Sequence, residues 1–219
     1  MSTALQQPLD LRDEEPRYPS PPSRYMSEED FLSWVAANEV RAEWVEGEVI
    51  MMAPADLEHQ DVGFWLCMLL RLYVERRDLG IAFMDVWTRL REPRPQLRAP
   101  DVLFVAKHRA EITKTGKVNG PPDLVIEVVS SDSEARDWRE KFLDYQGAGV
   151  REYWVIDPAS KSAEAYLLSS QGLYQRFEVV DGRISSVVVP GFFVKLEWLW
   201  RSPRPSVLDL LPELGIKLG

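Results

Sequence analysis

The chain has 219 residues, 45% of them hydrophobic and 28% charged, which is enough for one hydrophobic core of ordinary size. This composition excludes fibrous, low-complexity and wholly disordered proteins. The 26 Lys and Arg are outnumbered by 35 Asp and Glu, and the net charge of −9 argues against a protein that coats DNA nonspecifically. A single cysteine, Cys67, excludes a disulfide framework and a thiolate metal cluster, and it predicts a reducing, cytoplasmic location.

The first 24 residues predict a disordered tail, because five of the 16 prolines and a run of charges fall there. The charges also stand where a signal peptide would need an apolar centre, so export is not indicated. The longest apolar run, 62–70, falls well short of the roughly 20 residues that span a bilayer. We therefore predict a tail over 1–24 and one domain over 25–219, with no membrane partner.

In the first half of the domain, a hydroxyl three residues before a carboxylate predicts a helix start at Ser27 and a short helix to about Ala37. The stretch 43–52 has two β-prone runs around a glycine, which predicts a hairpin. The run 62–74 is apolar almost all round and predicts a helix buried on most faces, with Gly80 ending it.

Apolar runs then predict strands at 81–90, 102–105, 124–129 and 153–156. The last three are continuously apolar, as strands covered on both faces are. A helix over 133–148 separates the last two and predicts a β-α-β unit with parallel strands. Further antiparallel strands are expected at 166–168, 177–180, 184–189 and 192–196. The fold class is α/β.

The net charge hides an uneven distribution. Residues 28–61 hold ten acids and one base, whereas residues 86–117 hold eight bases and three acids and so carry +5. Both stretches are also consistent with ordinary solvated faces. The basic stretch is of interest because it flanks Asp101 on both sides.

Two carboxylates stand in the predicted core strands. Asp101 begins one strand, and Glu127 lies inside the next, between Ile and Val. A carboxylate in such a run has a large desolvation cost unless it is paired or binds a metal. Both a salt bridge to a nearby arginine and a functional role satisfy this requirement.

Lys141 lies on the predicted helix at a spacing that turns it toward these carboxylates. It shares one helical stripe with Trp138 and Tyr145. An exposed pair with Asp137 is the alternative. Two strand carboxylates and an inward lysine suit phosphodiester hydrolysis, in which the acids hold a divalent cation and the lysine polarises a water.

In combination these motifs resemble the PD-(D/E)XK nuclease superfamily and, more closely, a bacterial putative restriction-endonuclease family. The similarity covers roughly 25–200. Its carriers are Pro100-Asp101, the acidic hairpin 43–49, His59, the run PDLVIEVVS at 122–130, then Asp137, Lys141, Tyr145, Gly149-Val150 and EYWVIDP at 152–158. The resemblance implies a restriction-endonuclease-like fold, in which a mixed β-sheet core is flanked by helices and followed by additional C-terminal antiparallel strands.

The resemblance also implies a site. Asp101 and Glu127 would bind Mg²⁺ or Mn²⁺, with the backbone carbonyl of Val128 as a third ligand. An additional acid would come from Glu43 or Glu48.

The superfamily's usual lysine position, two residues after the glutamate, is Val129 in this chain. In this family the lysine stands on the helix, where Lys141 would be the catalytic cation. Basic side chains near Asp101 are expected to contact flanking phosphates: Arg89, Arg91, Arg98, Lys107, Lys114 and Lys117.

The leading hypothesis is a Mg²⁺-dependent phosphodiesterase with a nucleic-acid substrate, in particular a DNA endonuclease. A second is a catalytically inactive nuclease-fold module that binds nucleic acid or protein, favoured by Val129. A glycosidase built on two carboxylates is a third, which the basic surroundings disfavour. His59 is either a substrate contact or a helix-start hydrogen-bonding residue and is assigned no chemistry. The apolar segment 192–200 is either a homodimer interface or core.

Overall fold

The computed structural model describes residues 19–52, 56–129 and 135–217, with the side chains of 135–138 excepted. The helices are α1 (Glu28–Asn38), α2 (Leu57–Arg76), a 3-10 helix (Lys107–Thr113), α3 (Ala135–Ala148), α4 (Leu196–Leu199) and α5 (Val207–Leu210). The strands are β1 (Ala42–Val45), β2 (Glu48–Met51), β3 (Gly80–Phe83), β4 (Thr88–Leu90), β5 (Gln96–Arg98), β6 (Val102–Ala106), β7 (Val118–Asn119), β8 (Leu124–Val128), β9 (Glu152–Asp157), β10 (Ser162–Leu168), β11 (Tyr174–Phe177), β12 (Arg183–Ser185) and β13 (Phe193–Lys195).

A six-stranded mixed sheet in the order β11-β10-β9-β8-β6-β3 forms the centre of the fold. β8 and β9 are parallel and α3 connects them, which confirms the predicted β-α-β unit. Alternate residues of β8 point to opposite faces, and both faces are covered. Ile126 packs with α2 on one face, whereas Val125 packs with Tyr145 of α3 on the other.

The second sheet has five strands in the order β2-β1-β5-β4-β7. One face packs on α1 through Phe31, Trp44 and Leu97. The opposite face carries Arg98, which contacts Asp144 of α3. Because α3 contacts both sheets, it lies where side chains from the two sheets can meet.

The predicted helix start and hairpin are confirmed. The amide of Asp30 donates to Ser27 Oγ over 3.1 Å, and β1 pairs antiparallel with β2. α2 begins five residues before the predicted run and ends at Arg76, so Gly80 does not end it. Gly80 instead opens β3, where a Cβ would lie 2.2 Å from Val105 O, so that only glycine allows this close approach of the two strands.

The single strand predicted over 81–90 is wrong. The stretch forms β3 and β4, which belong to different sheets, and Asp85 in the left-handed region (φ 53°) lies in the connection between them. The strand predicted at 166–168 is the end of the longer β10, and the one predicted at 177–180 lies three residues earlier as β11. Those predicted at 184–189 and 192–196 are shorter, as β12 and β13. In the segment 192–200, Phe192 and Trp198 are buried in the core beside α2, which favours core over interface for these residues.

Residues 1–18 of the predicted tail, 1–24, lie outside the described residues. Its end is part of the fold, because Arg24 O accepts a hydrogen bond from Val49 N over 3.0 Å. Ordered pairing thus begins three residues before the predicted start at Ser27. Among the described residues, no helix is long and apolar enough to cross a membrane.

Candidate active site

Asp101 and Glu127 are cross-strand neighbours. β6 and β8 pair antiparallel, and the pairing at this end stops at Val102 opposite Ile126; Asp101 precedes Val102 and Glu127 follows Ile126. The charge of Asp101 raises the pKa of Glu127, so the two carboxylates lie close together. The pairing of the two strands therefore brings together the two carboxylates that the sequence singled out.

Glu127 is held by two side chains of α3. Lys141 Nζ lies 3.1 Å from Glu127 Oε2, and Tyr145 Oη donates to Glu127 Oε1 over 2.7 Å. Lys141 and Tyr145 are four residues apart and so share one face of the helix. The inward orientation that the spacing predicts for Lys141 is confirmed. The side chains of Trp138 and of Asp137, the alternative partner of Lys141, lie outside the described ones.

Asp101 is held from two other directions. Its Oδ2 accepts a hydrogen bond from Val128 N over 2.7 Å, and His59 Nε2 lies 3.2 Å from the same oxygen. The amide and carbonyl of one strand residue point to the same side, so Val128 O also faces the edge that carries Asp101. His59 is positioned at the start of α2 by Asp56, whose side chain accepts from the His59 amide over 2.7 Å.

A buried ion-pair network joins the second sheet to this site. Arg98, with a fully buried side chain, contacts Glu43 Oε2 at 2.7 Å and Asp144 Oδ2 at 2.5 Å. Glu43 Oε1 also accepts from Ala99 N over 2.9 Å and lies 3.9 Å from Lys141 Nζ. Glu43 thus lies beside Lys141. Arg98 joins β1 to α3, because it pairs with Glu43 of β1 and with Asp144 of α3.

Burial and charge set the protonation of these groups. Burial, together with the nearby Asp101 charge, raises the pKa of Glu127 to about 8 despite the attraction of Lys141. Burial alone would also raise the pKa of Asp101, but the hydrogen bond from His59 and the charge of Lys141 lower it. Burial likewise acts to raise the pKa of Glu43, and the charges of Lys141 and Arg98 lower it. Burial opposes the rise in the pKa of His59 that Asp101 causes.

The donor set suits a hard divalent cation. When ionised, Asp101, Glu127 and Glu43 place three carboxylates around Lys141, and burial with the Asp101 charge raises the pKa of Glu127, so that a cation rather than the lysine alone would balance all three. Carboxylate and carbonyl oxygens are the ligands that Mg²⁺ and Mn²⁺ prefer. Among the described residues, no three acidic, histidine or cysteine side chains form a group that could hold a metal ion. A cation at this point would be held by the two carboxylates and the backbone carbonyl of Val128.

Several predicted phosphate contacts are corrected by the structure. Arg98 is wrong, because its guanidinium is buried between two carboxylates. Lys107 lies at the far end of β6, six residues and about 20 Å from Asp101, where it pairs with Asp78. Arg89 points to the face of the five-stranded sheet opposite Arg98, where it pairs with Glu28.

Three of the basic residues stay predictions. Arg91 is 65% exposed, and Lys114 and Lys117 lie in and after the turn that follows the 3-10 helix. Of the two additional acids, the structure brings Glu43 to Lys141. Glu48 is instead paired with Arg24 at 2.6 Å on the surface of the hairpin.

The mixed sheet, with paired acids on adjacent strands and a lysine from the crossover helix, defines a restriction-endonuclease-like fold of the PD-(D/E)XK type. The chain belongs to the Uma2 family, described as "Putative restriction endonuclease", whose sequence profile matches residues 28–197. This confirms the resemblance that the motifs indicated.

Similar proteins include two from Synechocystis sp. that are called uncharacterized. Protein sll1609 is 28% identical over 127 residues, which are 58% of this chain and 71% of the relative, and slr1290 is 24% identical over 155 residues, 70% and 80% respectively. A crystal structure of a putative nuclease belonging to DUF820 from Anabaena variabilis superposes with a TM-score of 0.62 at 18% identity. It covers 74% of this chain and 90% of the other and shows the shared fold.

Proposed function

We propose that this protein is a divalent-metal-dependent phosphodiesterase that cuts DNA internally. The observation that carries the proposal is the convergence of Asp101, Glu127 and Lys141 from three separate elements at one partly accessible point. Their side chains are 13%, 7% and 11% exposed. Hydrolysis of a phosphodiester requires a bound metal cation and, beside it, a hydrogen-bond donor to the phosphoryl oxygens. Two carboxylates can hold the cation, and the lysine ammonium can be the donor.

In this function Asp101, Glu127 and the carbonyl of Val128 would hold Mg²⁺ or Mn²⁺. When bound, such a cation neutralises phosphate charge and lowers the pKa of water. His59 and Val128 N fix the Asp101 carboxylate, and Tyr145 fixes that of Glu127, so that both ligands are oriented before metal binds.

Lys141 supplies the protein's own contribution to the reaction. Its ammonium orients the attacking water and stabilises negative charge that develops on the phosphoryl oxygens. The water oxygen forms a bond to phosphorus and gives up a proton to solvent, while the bond from phosphorus to the leaving sugar oxygen breaks and solvent protonates that oxygen. Lys141 thereby does from the helix what a lysine at the position of Val129 does elsewhere in the superfamily.

Plasmid nicking by the purified protein tests this function. We expect cleavage with Mg²⁺ or Mn²⁺, none with EDTA, and a loss of at least about 100-fold in Asp101→Asn and Glu127→Gln. Glu213→Gln is the matched control, because Glu213 pairs with Lys195 at the surface. Equal nicking by the wild type and Asp101→Asn would identify a contaminant and reject the proposal.

The alternative is a nuclease-fold module that binds without cutting. It is favoured by one observation, that both oxygens of Glu127 already accept hydrogen bonds, from Lys141 and Tyr145. The two functions differ in metal binding. Calorimetric titration with Mn²⁺ that shows no binding dependent on Glu127 would establish the alternative.

A further inference from the structure

A cavity of about 270 Å³ opens beside the candidate site. Trp87 and Met52 contribute apolar wall, and Arg41 and Asp85 are its exposed charged residues. We call it the Trp87 cavity. None of the chemistry proposed above uses these side chains.

The Trp87 cavity is joined directly to the residues of the site. Ala99 lines it, and the amide of Ala99 donates to Glu43 Oε1 over 2.9 Å. Asp85 N donates to Pro100 O over 3.0 Å, and Pro100 immediately precedes Asp101. Because one residue of extended chain spans about 3.3–3.6 Å, the cavity wall begins within about 7 Å of Asp101.

The size and lining of the cavity fit a small flat ring system. Its volume lies just below the about 300–1,000 Å³ of pockets for drug-sized ligands. Trp87 is one of the lining residues, and its side chain is held in place by two contacts. Its Nε1 donates to Ala42 O over 3.2 Å, and its ring meets Phe31 edge-on with centroids 6.0 Å apart. Bases stack on such rings whatever their sequence.

The charged pair adds a preference among bases. Arg41 Nη2 and Asp85 Oδ2 are 2.6 Å apart, and both side chains are about 40% exposed. An exposed pair of this kind is worth little, so a ligand can separate it at small cost. A guanidinium matches the two acceptors of guanine, O6 and N7, and a carboxylate matches two adjacent N–H donors, which guanine presents on its pairing edge.

We propose that the Trp87 cavity binds an unpaired nucleobase of the substrate strand, guanine in preference, next to the phosphate held at Asp101. The inference rests on the proposed function for its substrate class. It assigns Asp85 and Arg41 to base recognition and Trp87 to stacking. The pairing edge of guanine is reachable only in a single-stranded or flipped nucleotide, so the substrate is unpaired at this position.

Binding can be tested without cleavage. The full chain is labelled with 5-fluorotryptophan, the Trp87 fluorine resonance is assigned from Trp87→Phe, and dGMP, dAMP, dCMP and TMP are titrated in metal-free buffer. We expect dGMP to shift the Trp87 resonance and to bind tightest. Asp85→Asn, which tolerates the left-handed backbone at this position, should weaken dGMP about tenfold and leave the other three within about twofold. Glu213→Gln should bind as the wild type does.

A second arm separates a free nucleotide from a strand as the source of the base. Anisotropy titration compares an all-thymine oligonucleotide with one that carries a single guanine, in the presence of EDTA. Tighter binding of the guanine oligonucleotide, lost in Asp85→Asn, supports the proposal. Equal binding of the four nucleotides, or a dGMP preference that the oligonucleotides do not share, overturns it. Because plasmid nicking is scored separately, nicking without guanine preference rejects only this inference, and guanine binding without nicking rejects only the proposed function.

Discussion

Lys141 Nζ lies 3.1 Å from Glu127 Oε2, so the helix after β8 supplies to that strand the cation that Val129 cannot. The lysine reaches this point because α3 crosses over the sheet between two parallel strands, with the face that carries Tyr145 turned inward. Asp144 lies about one helical turn after Lys141 on α3, and it pairs with Arg98. The position of Lys141 therefore depends on how α3 is anchored.

Replacement of Lys141 by methionine tests its part in catalysis. Methionine keeps much of the side-chain volume and removes the ammonium, so we expect the nicking rate to fall at least about 100-fold, as when one donor to a developing charge is lost. Mn²⁺ affinity should be retained or increased, because a positive charge beside Glu127 is removed. Rates from plasmid nicking and calorimetric titration give both values, with Lys195→Met as control. Unchanged nicking would show that Lys141 is structural.

Metal binding is expected to release a proton from Glu127. Its pKa is raised to about 8, mainly by burial, and a cation binds the ionised carboxylate. Mn²⁺ affinity should therefore rise about tenfold per pH unit from pH 6 to 8 and level off above, because the carboxylate is then already ionised. Calorimetry in buffers of different ionisation enthalpy at pH 7 should show about one proton released, and the absence of proton release would contradict the raised pKa.

The same raised pKa predicts how stability depends on pH in the metal-free protein. Glu127 ionises near pH 4.5 when unfolded and near 8 when folded, so its contribution to the free energy of unfolding falls as pH rises through this window. Glu127→Gln removes the titration. We expect the variant to match the wild type at pH 5 and to be more stable at pH 9, measured by urea unfolding with EDTA present. A wild-type advantage at pH 9 would show that the charged pair with Lys141 outweighs burial.

Removal of Arg98 is expected to be costly. Arg98→Met leaves Glu43 and Asp144 buried without their shared cation, a change that typically costs about 3–5 kcal/mol. Urea unfolding at pH 7 measures the loss. Arg24→Met removes an exposed pair with Glu48 and should leave the unfolding midpoint unchanged. Equal midpoints for both variants would mean that the buried network does not anchor α3.

The pH dependence of this network has the opposite sign to that of Glu127. The pKa of Glu43 is lowered by Lys141 and Arg98 against the effect of burial. Its stabilising contribution is therefore complete above about pH 4.5 and is lost as pH falls through the lowered value.

Sequence reasoning succeeded where a residue's partners lie on the same element or on the next strand. The period of α3 placed Lys141 inward, and the apolar runs around Asp101 and Glu127 marked both as carboxylates with little solvent exposure. It failed where partners come from distant parts of the chain. His59 lies 42 residues from Asp101 and Arg98 lies 46 from Asp144, and no local spacing relates such pairs.

Signals for some of these residues were present. Tyr145 shares the helical stripe of Lys141, and His59 is among the residues that carry the family resemblance, but neither was predicted to belong to the site. The prediction for Arg98 was wrong, because an arginine among basic neighbours suggests a phosphate contact. Its burial follows only from the packing of β5 against α3, which places two carboxylates beside it.

The sequence by itself determined the β-α-β unit, the acidic pair and the helical lysine, since periodicity and apolar runs fix secondary structure and burial. Only the tertiary structure decided which charges meet. Ion pairs form across separate elements, so the basic stretch that seemed to surround Asp101 is divided among a buried network, the opposite face of a sheet and the far end of β6. The net charge of −9 could not reveal this division, because it depends on how the chain folds.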